Sequence, residues 1–199
     1  MKRLVFVTDP MCSWCWGMAN EFRKARAELD HLVEFDLMLG GINTHGSQPI
    51  GDYGRRFLMR LWREVADTTG QQFGFELPQE YVHNSVTACL AVEAVRQVNG
   101  VAPFDYLHAL QEQFFLHGRN ITDIALLADL AEPFGIAENL LREMVQDPVI
   151  LERVRFQFEN AGAFGTNALP SLLIERDGAL TLFAGGYMDA SMLGELLAD

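Results

Sequence analysis

The first forty residues constrain the fold most, because they pass from one backbone periodicity to the other and back. Arg3 to Thr8 is a short β-branched and aromatic run that reads as a buried strand. Pro10 ends it, and proline suits the turn before a helix, where its fixed φ and missing N–H do no harm. From Ser13 to Leu29 the apolar positions Cys15, Met18, Phe22, Ala25 and Leu29 recur every three or four residues, which predicts a helix with one buried face. His31 begins a turn, Val33 to Leu39 reads as a second strand, and Gly40-Gly41 ends it. Strand, helix and strand at this spacing form a βαβ unit, so the two strands should run parallel.

From Asp52 to about Gly162 the pattern is helical, with almost no strand signal. Phe57, Leu58, Leu61, Trp62 and Val65 make one stripe, and Val82, Val86, Cys89, Leu90 and Ala94 another. Pro103 stands where a first helical residue would, ahead of Phe104, Leu107, Leu110 and Phe114. Thr122 is the expected N-cap for Ile124, Leu127, Leu130 and Ala131, with Gly135 as the stop. Ala137 to Val145 predicts a short helix, and Asp147-Pro148 opens another that carries Leu151, Val154, Phe158 and Ala161. After Gly162 strands return: Ser171 to Glu175, a hairpin signal at Asp177-Gly178, then Leu180 to Ala184. Gly185-Gly186 breaks the last strand, and Met188 to Leu197 predicts a closing helix. The whole predicts an α/β chain with a thioredoxin-like fold, βαβ then ββα, and a helical domain inserted in the middle. The expected boundaries are 1–48 for the first half, 49–150 for the insertion and 151–199 for the second half.

Between the first strand and the first helix lies Cys12-Ser13-Trp14-Cys15, and a third cysteine stands at Cys89. A disulfide-stapled secreted domain would be smaller and richer in cysteine. A structural zinc site needs four ligands, yet there is a single C-x-x-C and no histidine or cysteine at matching spacing beside Cys89. Haem attachment needs a histidine after Cys15, where Trp16 stands. The five histidines are scattered, with no pair at ligand spacing, so no metal is expected. A redox-active dithiol remains. Its placement fits: unpaired N–H groups and a partial positive charge at a helix N-terminus favour thiolate, which makes Cys12 the nucleophile. The spacing lets Cys15 reach the same sulfur from the first turn and resolve a mixed disulfide.

Net charge bounds the partners. At −12, nucleic acid and anionic membrane surfaces are disfavoured as main partners. No apolar stretch reaches the roughly 18 residues of a spanning helix. The apolar run Leu4 to Val7 is shorter than a signal-peptide core of about 7–15 residues, and no small-residue cleavage site follows. The expected compartment is the cytoplasm.

The sequence also resembles a known family. Asp9-Pro10-Met11-Cys12-Ser13-Trp14-Cys15-Trp16, then Phe114-Phe115 with Gly118-Arg119-Asn120-Ile121-Thr122-Asp123, then Gly165-Thr166-Asn167-Ala168-Leu169-Pro170-Ser171 are similar, in order and spacing, to the DsbA-like branch of the thioredoxin superfamily, and especially to its cytoplasmic FrnE-like members. The stretch Trp62 to Phe73 adds to the likeness. The resemblance implies dithiol–disulfide exchange with protein or peptide thiols and disulfides, Cys12 attacking, Cys15 resolving, and no resident cofactor. It implies that Pro170 is the cis-proline set against the dithiol, an arrangement that keeps metal from the thiols and leaves the Leu169 backbone free to pair with an extended substrate. Periplasmic members carry histidine where Trp14 stands, which argues against a strongly oxidising potential. Leu169 is more apolar than the Val or Thr common before the cis-proline, which bears on substrate selection.

Alternatives stay open at this point. Related kappa-class glutathione transferases and hydroxychromene-carboxylate isomerases have serine in place of Cys12, so the two cysteines disfavour that chemistry while leaving glutathione open as a co-substrate. A redox-regulated chaperone-like binding module is the third reading. Trp14 suits an apolar substrate rim and helix packing equally, whereas Trp16 suits packing. Cys89 lies on an apolar helical stripe and reads as a buried, inert thiol.

Overall fold

Among the described residues, four strands form one sheet in the order β2-β1-β3-β4. The strands are β1 Lys2–Thr8, β2 Val33–Leu39, β3 Ser171–Arg176 and β4 Ala179–Gly185. The structure is a computed structural model and describes residues 2–164, 168–189 and 191–194. β1 pairs in parallel with β2, Phe6 opposite Leu37, and antiparallel with β3, Phe6 opposite Leu172. Both inner strands are covered on both faces: Leu4–Val7 and Ser171–Ile174 are buried throughout. That is why they read as unbroken apolar runs rather than alternating ones. The β3–β4 turn holds Asp177 at φ 53° and Gly178 at φ 77°, two left-handed residues as a tight hairpin turn requires.

α1 (Ser13–Leu29) crosses from β1 to β2 and stacks Phe22 on Phe6, ring centroids 4.1 Å apart. Among the described residues six α-helices then lie between β2 and β3: α2 Asp52–Thr69, α3 Val86–Asn99, α4 Phe104–Phe115, α5 Ile124–Ala131, α6 Glu138–Met144 and α7 Pro148–Ala163, with a 3-10 turn at Glu132–Phe134. α2 packs close on α1 at Gly17, where a Cβ would stand 2.6 Å from Val65 Cγ1. α7 runs beside the outer edge of β2, and Gln157 Oε1 accepts the Leu39 N–H at 3.0 Å, so that edge is not left open.

Several local expectations are corrected. The cap of α5 is Asp123, whose carboxylate accepts the Ala125 N–H at 3.0 Å, because Thr122 is held by the Asn120 side chain instead. Pro103 caps α4 rather than opening it, and α3 begins at Val86, leaving Val82 outside. On α7 Ile150 is buried and Leu151 exposed. Phe57 is exposed on α2 while Leu58, Trp62 and Val65 are buried. Of the closing helix, residues 191–194 are helical and the last residues of that segment lie outside the described ones. No helix among the described residues is long and apolar enough to cross a membrane.

Candidate active site

The loop from Asp9 to Cys12 is shaped by the Asp9 carboxylate, which is wholly buried. Oδ1 accepts the Met11 N–H at 2.8 Å, and Oδ2 accepts the Ser85 hydroxyl at 2.6 Å. The Asp9 carbonyl accepts the Cys12 N–H at 3.2 Å and the Gln111 side-chain amide at 3.3 Å. Ser85, at the start of α3, also accepts the Ile42 N–H at 2.8 Å, so one hydroxyl ties the dithiol loop, the end of β2 and α3 together. Cys89 Sγ lies 3.5 Å from the same carboxylate oxygen. Burial raises Asp9 to about 6, with the Ser85, Met11 and Cys89 hydrogen bonds holding it below where burial alone would leave it.

Cys12 is the N-cap of α1, and its sulfur accepts the Cys15 N–H at 3.1 Å. Cys12, Cys15 and Cys89 are free thiols. The helix N-terminus does not act alone on the Cys12 thiol. Burial pushes that thiol up, the adjacent Cys15 thiol and the charge of Asp9 push the same way, and the Cys15 N–H only partly offsets them. Cys89 is pushed up by burial as well. Cys15 is 1% exposed against 5% for Cys12, and Cys12 alone of the two lines the adjacent groove.

That groove, of about 600 Å³, lies between the dithiol and α2. Cys12, Ser13 and Trp14 form one side; Phe57, Leu58 and Leu61 of α2 form the other; Ile42, Asn43, Gln48, Ile50, His83 and Leu169 complete it. Gly40 permits the near wall: a Cβ there would stand 2.7 Å from Leu169 Cδ1. The Leu169–Pro170 peptide is cis. His83 Nδ1 pairs with the Tyr81 hydroxyl at 3.2 Å, and burial lowers the imidazole to about 4, so it is neutral at pH 7. Beneath the groove Trp62 packs edge to face on Phe114 and Phe115 and tilted against Phe73, giving α2 a firm seat.

The residues singled out from sequence come together here: Cys12, Trp14 and Leu169 line one cavity, with Cys15 under it. Trp16 points the other way. It is 3% exposed, donates its indole N–H to the Gln72 carbonyl at 2.8 Å and stacks on Phe115. The Gly165-Thr166-Asn167 part of the third motif lies outside the described residues. Sequence reasoning missed the roles of Asp9, Ser85 and His83, and it placed Phe57 and Leu61 on one stripe with Leu58, Trp62 and Val65, which are buried.

Comparison with known proteins places this geometry. A family model described as thioredoxin matches residues 5–174. A solved structure described as a candidate protein disulfide isomerase from Nitrosomonas europaea is 29% identical, with a TM-score of 0.88 over 99% of this chain and 96% of that one. The cytosolic disulfide reductase DsbM from Pseudomonas aeruginosa, also solved with GSH, superposes with a TM-score of 0.76 at 24% identity, over 90% of this chain and 88% of that one. Among curated relatives, the ClpXP adapter protein SpxH of Halalkalibacterium halodurans is 20% identical over 85% of this chain, which spans only 57% of that relative's length.

Proposed function

The chain belongs to the thioredoxin family, and on that premise we propose that it is a protein thiol–disulfide oxidoreductase in which Cys12 attacks and Cys15 resolves. The observation that carries this reading is the position of Cys12: at the N-cap of α1, in the wall of an apolar groove, with Cys15 one turn behind it and buried. Cys12, once deprotonated, attacks one sulfur of a substrate disulfide, and the other sulfur leaves as a thiolate that takes a proton. Cys15, deprotonated in turn, attacks Cys12 Sγ, closing a Cys12–Cys15 disulfide and releasing the second substrate thiol. Two electrons pass from the protein to the substrate. A thiol reductant, of low molecular weight or a protein dithiol, then returns the pair to its reduced form.

The environment of Cys12 supports one direction over the other. Strong oxidants of this chemistry stabilise their reduced form as a thiolate. Here burial and the Asp9 charge disfavour that thiolate, which supports reduction or isomerisation of disulfides under a reducing cytoplasmic poise. Trp14 and Leu169 are assigned to substrate contact, and Pro170, cis after Leu169, to the role of the cis-proline set against the dithiol. The DsbM neighbour, by description a cytosolic disulfide reductase, agrees in direction.

A Cys15→Ala variant should accumulate mixed disulfides through Cys12, visible on non-reducing gels and lost in reductant. Full insulin reduction by a Cys12→Ala variant would overturn the assignment. Binding of unfolded protein that follows the redox state without any thiol turnover would favour the binding-module reading instead.

A further inference from the structure

Two buried groups close to the dithiol take no part in the exchange steps: the Asp9 carboxylate and the third thiol, Cys89. They meet at α3. Asp9 Oδ2 accepts the Ser85 hydroxyl at 2.6 Å, and the Cys89 thiol donates to the same oxygen across 3.5 Å. Ser85 is the N-cap of α3, and the Cys89 N–H donates to its carbonyl at 2.9 Å, so the two side chains stand one turn apart and reach Asp9 together. A serine hydroxyl has one proton to give. Ser85 accepts the Ile42 N–H at 2.8 Å and lies 3.4 Å from the Ile42 carbonyl, so its proton goes to the nearer Asp9 oxygen. A buried carboxylate without donors takes up a proton rather than stay charged. Asp9 keeps its charge through hydrogen bonds from Ser85, Met11, Cys89 and the Gly41 backbone, while α4 faces it with the uncharged Gln111 amide. Across the groove from Cys12, Arg55 is bound to the Pro78 and Gln79 carbonyls, Arg56 and Arg60 are exposed to solvent, and His83 is neutral.

Resting on the dithiol reading above, we propose that Ser85 and Cys89 are positioning residues that keep the Asp9 carboxylate charged within the dithiol loop, and that this charge restrains Cys12 from becoming the attacking thiolate. The Asp9 charge acts on the Cys12 thiol in the same direction as burial and the Cys15 thiol, which contribute more. Without either donor Asp9 holds its proton more tightly, and its part of the restraint on Cys12 falls away. The third thiol thereby has a role that needs no oxidation: it is a hydrogen-bond donor to the carboxylate.

The test follows both titrations: the Asp9 carboxyl by side-chain NMR, assigned by its loss in Asp9→Asn, and the Cys12 thiol by the pH profile of its alkylation with iodoacetamide. In wild type the carboxyl should titrate at about 6. Ser85→Ala should carry it to neutrality or above and Cys89→Ala part of the way, whereas Ser85→Thr and Cys89→Ser, which keep a donor, should stay near wild type. The Cys12 profile should move to lower pH in step. For each tenfold gain in thiolate at pH 7 the alkylation rate should rise about threefold, because the better-ionised thiol is the weaker nucleophile. In an Asp9→Asn background the Ser85 and Cys89 substitutions should leave the Cys12 profile where Asp9→Asn alone puts it. A profile that Ser85→Ala shifts equally with and without the Asp9 charge would make the hydroxyl a mere fastener of the loop and overturn the proposal. So would an Asp9 midpoint that neither alanine variant moves. Insulin reduction separates the two levels: activity that survives Cys12→Ser removes the dithiol reading and the attacking role with it, whereas Cys12-dependent activity with unmoved titrations removes the Ser85 and Cys89 assignment alone.

Discussion

Asp9 and Ser85 are 76 positions apart and share a 2.6 Å hydrogen bond from the Ser85 hydroxyl to the buried Asp9 carboxylate. Through it the dithiol loop is fastened to the start of α3, and through the Ile42 N–H on the same hydroxyl to the end of β2. The groove therefore takes its shape from a carboxylate that no solvent reaches. An isolated buried carboxylate is costly, and this one is kept by the donors around it.

That cost has a sign. The Asp9 carboxyl rises from an ordinary 3.8 to about 6 on burial, so the folded state holds its proton more tightly than the unfolded chain does. The resulting stability is fully present below about pH 4 and is lost as pH rises through about 6. At about 1.4 kcal/mol per pH unit between those two values, the loss is on the order of 3 kcal/mol. Asp9→Asn keeps an oxygen for the Met11 N–H and carries no charge. Urea midpoints of the two proteins, compared at pH 4, 5, 6 and 7, should diverge in favour of Asp9→Asn as pH rises. Parallel curves would remove this account.

Cys12 should behave as a thiol of high pKa. Burial, the Cys15 thiol and the Asp9 charge all oppose its ionisation. Iodoacetamide alkylation of reduced Cys12, followed by peptide mass spectrometry, should still be accelerating at pH 9 with no plateau near neutrality. In Asp9→Asn one opposing charge is gone, so the profile should move to lower pH. A plateau below pH 7 would mean that the helix N-terminus outweighs burial.

The contrast between Cys12 and Phe57 explains what the sequence could tell. Cys12, Cys15 and the βαβ unit around them are local: strand, proline, dithiol and helix follow one another within Arg3 to Leu39, and each periodicity is set by neighbours in the chain. The Asp147-Pro148 cap and the Asp177-Gly178 turn were legible for the same reason. Phe57 and Leu61 were not, because which part of an apolar helix face is covered depends on where α2 docks, and that is set by Gly17 on α1 and the aromatic seat beneath Trp62. Asp9 belongs to a recognisable motif, but its burial depends on Ser85, far away in sequence. Thr122 failed as a cap because two adjacent residues could fill that role, and the Asn120 side chain took one of them.

Trp14 and Trp16, two residues apart, should separate cleanly under mutation. Trp16 is buried against Phe115 and His108 and donates to the Gln72 carbonyl. Trp16→Ala should cost about 3–5 kcal/mol in chemical denaturation. Trp16→Phe should cost less and leave exchange kinetics close to wild type, since the ring does not line the groove. Trp14 is half-buried and lines it. Trp14→Ala should leave stability within about 1 kcal/mol while raising KM for an apolar peptide disulfide. A loss of stability from Trp14→Ala equal to that from Trp16→Ala would show that both rings serve packing.

The near wall can be moved without touching a thiol. Gly40 has its N–H on the Thr8 carbonyl at 2.8 Å and sits under Leu169, whose methyl carbons would be 2.7 and 2.8 Å from an added Cβ. Its backbone lies outside the left-handed region, so alanine meets no backbone penalty. The clash falls on the end of a flexible side chain rather than on backbone, so Leu169 should swing aside into the groove. Gly40→Ala should therefore cost only about 1 kcal/mol or less in stability, within the range of mild overpacking. Its main effect should be on substrate: a rise in KM for bulky apolar peptides with the rate of Cys12 alkylation unchanged, because the loop from Asp9 to Cys12 keeps all its hydrogen bonds. If alkylation and KM shift together, Leu169 is holding the dithiol in place as well as shaping the groove.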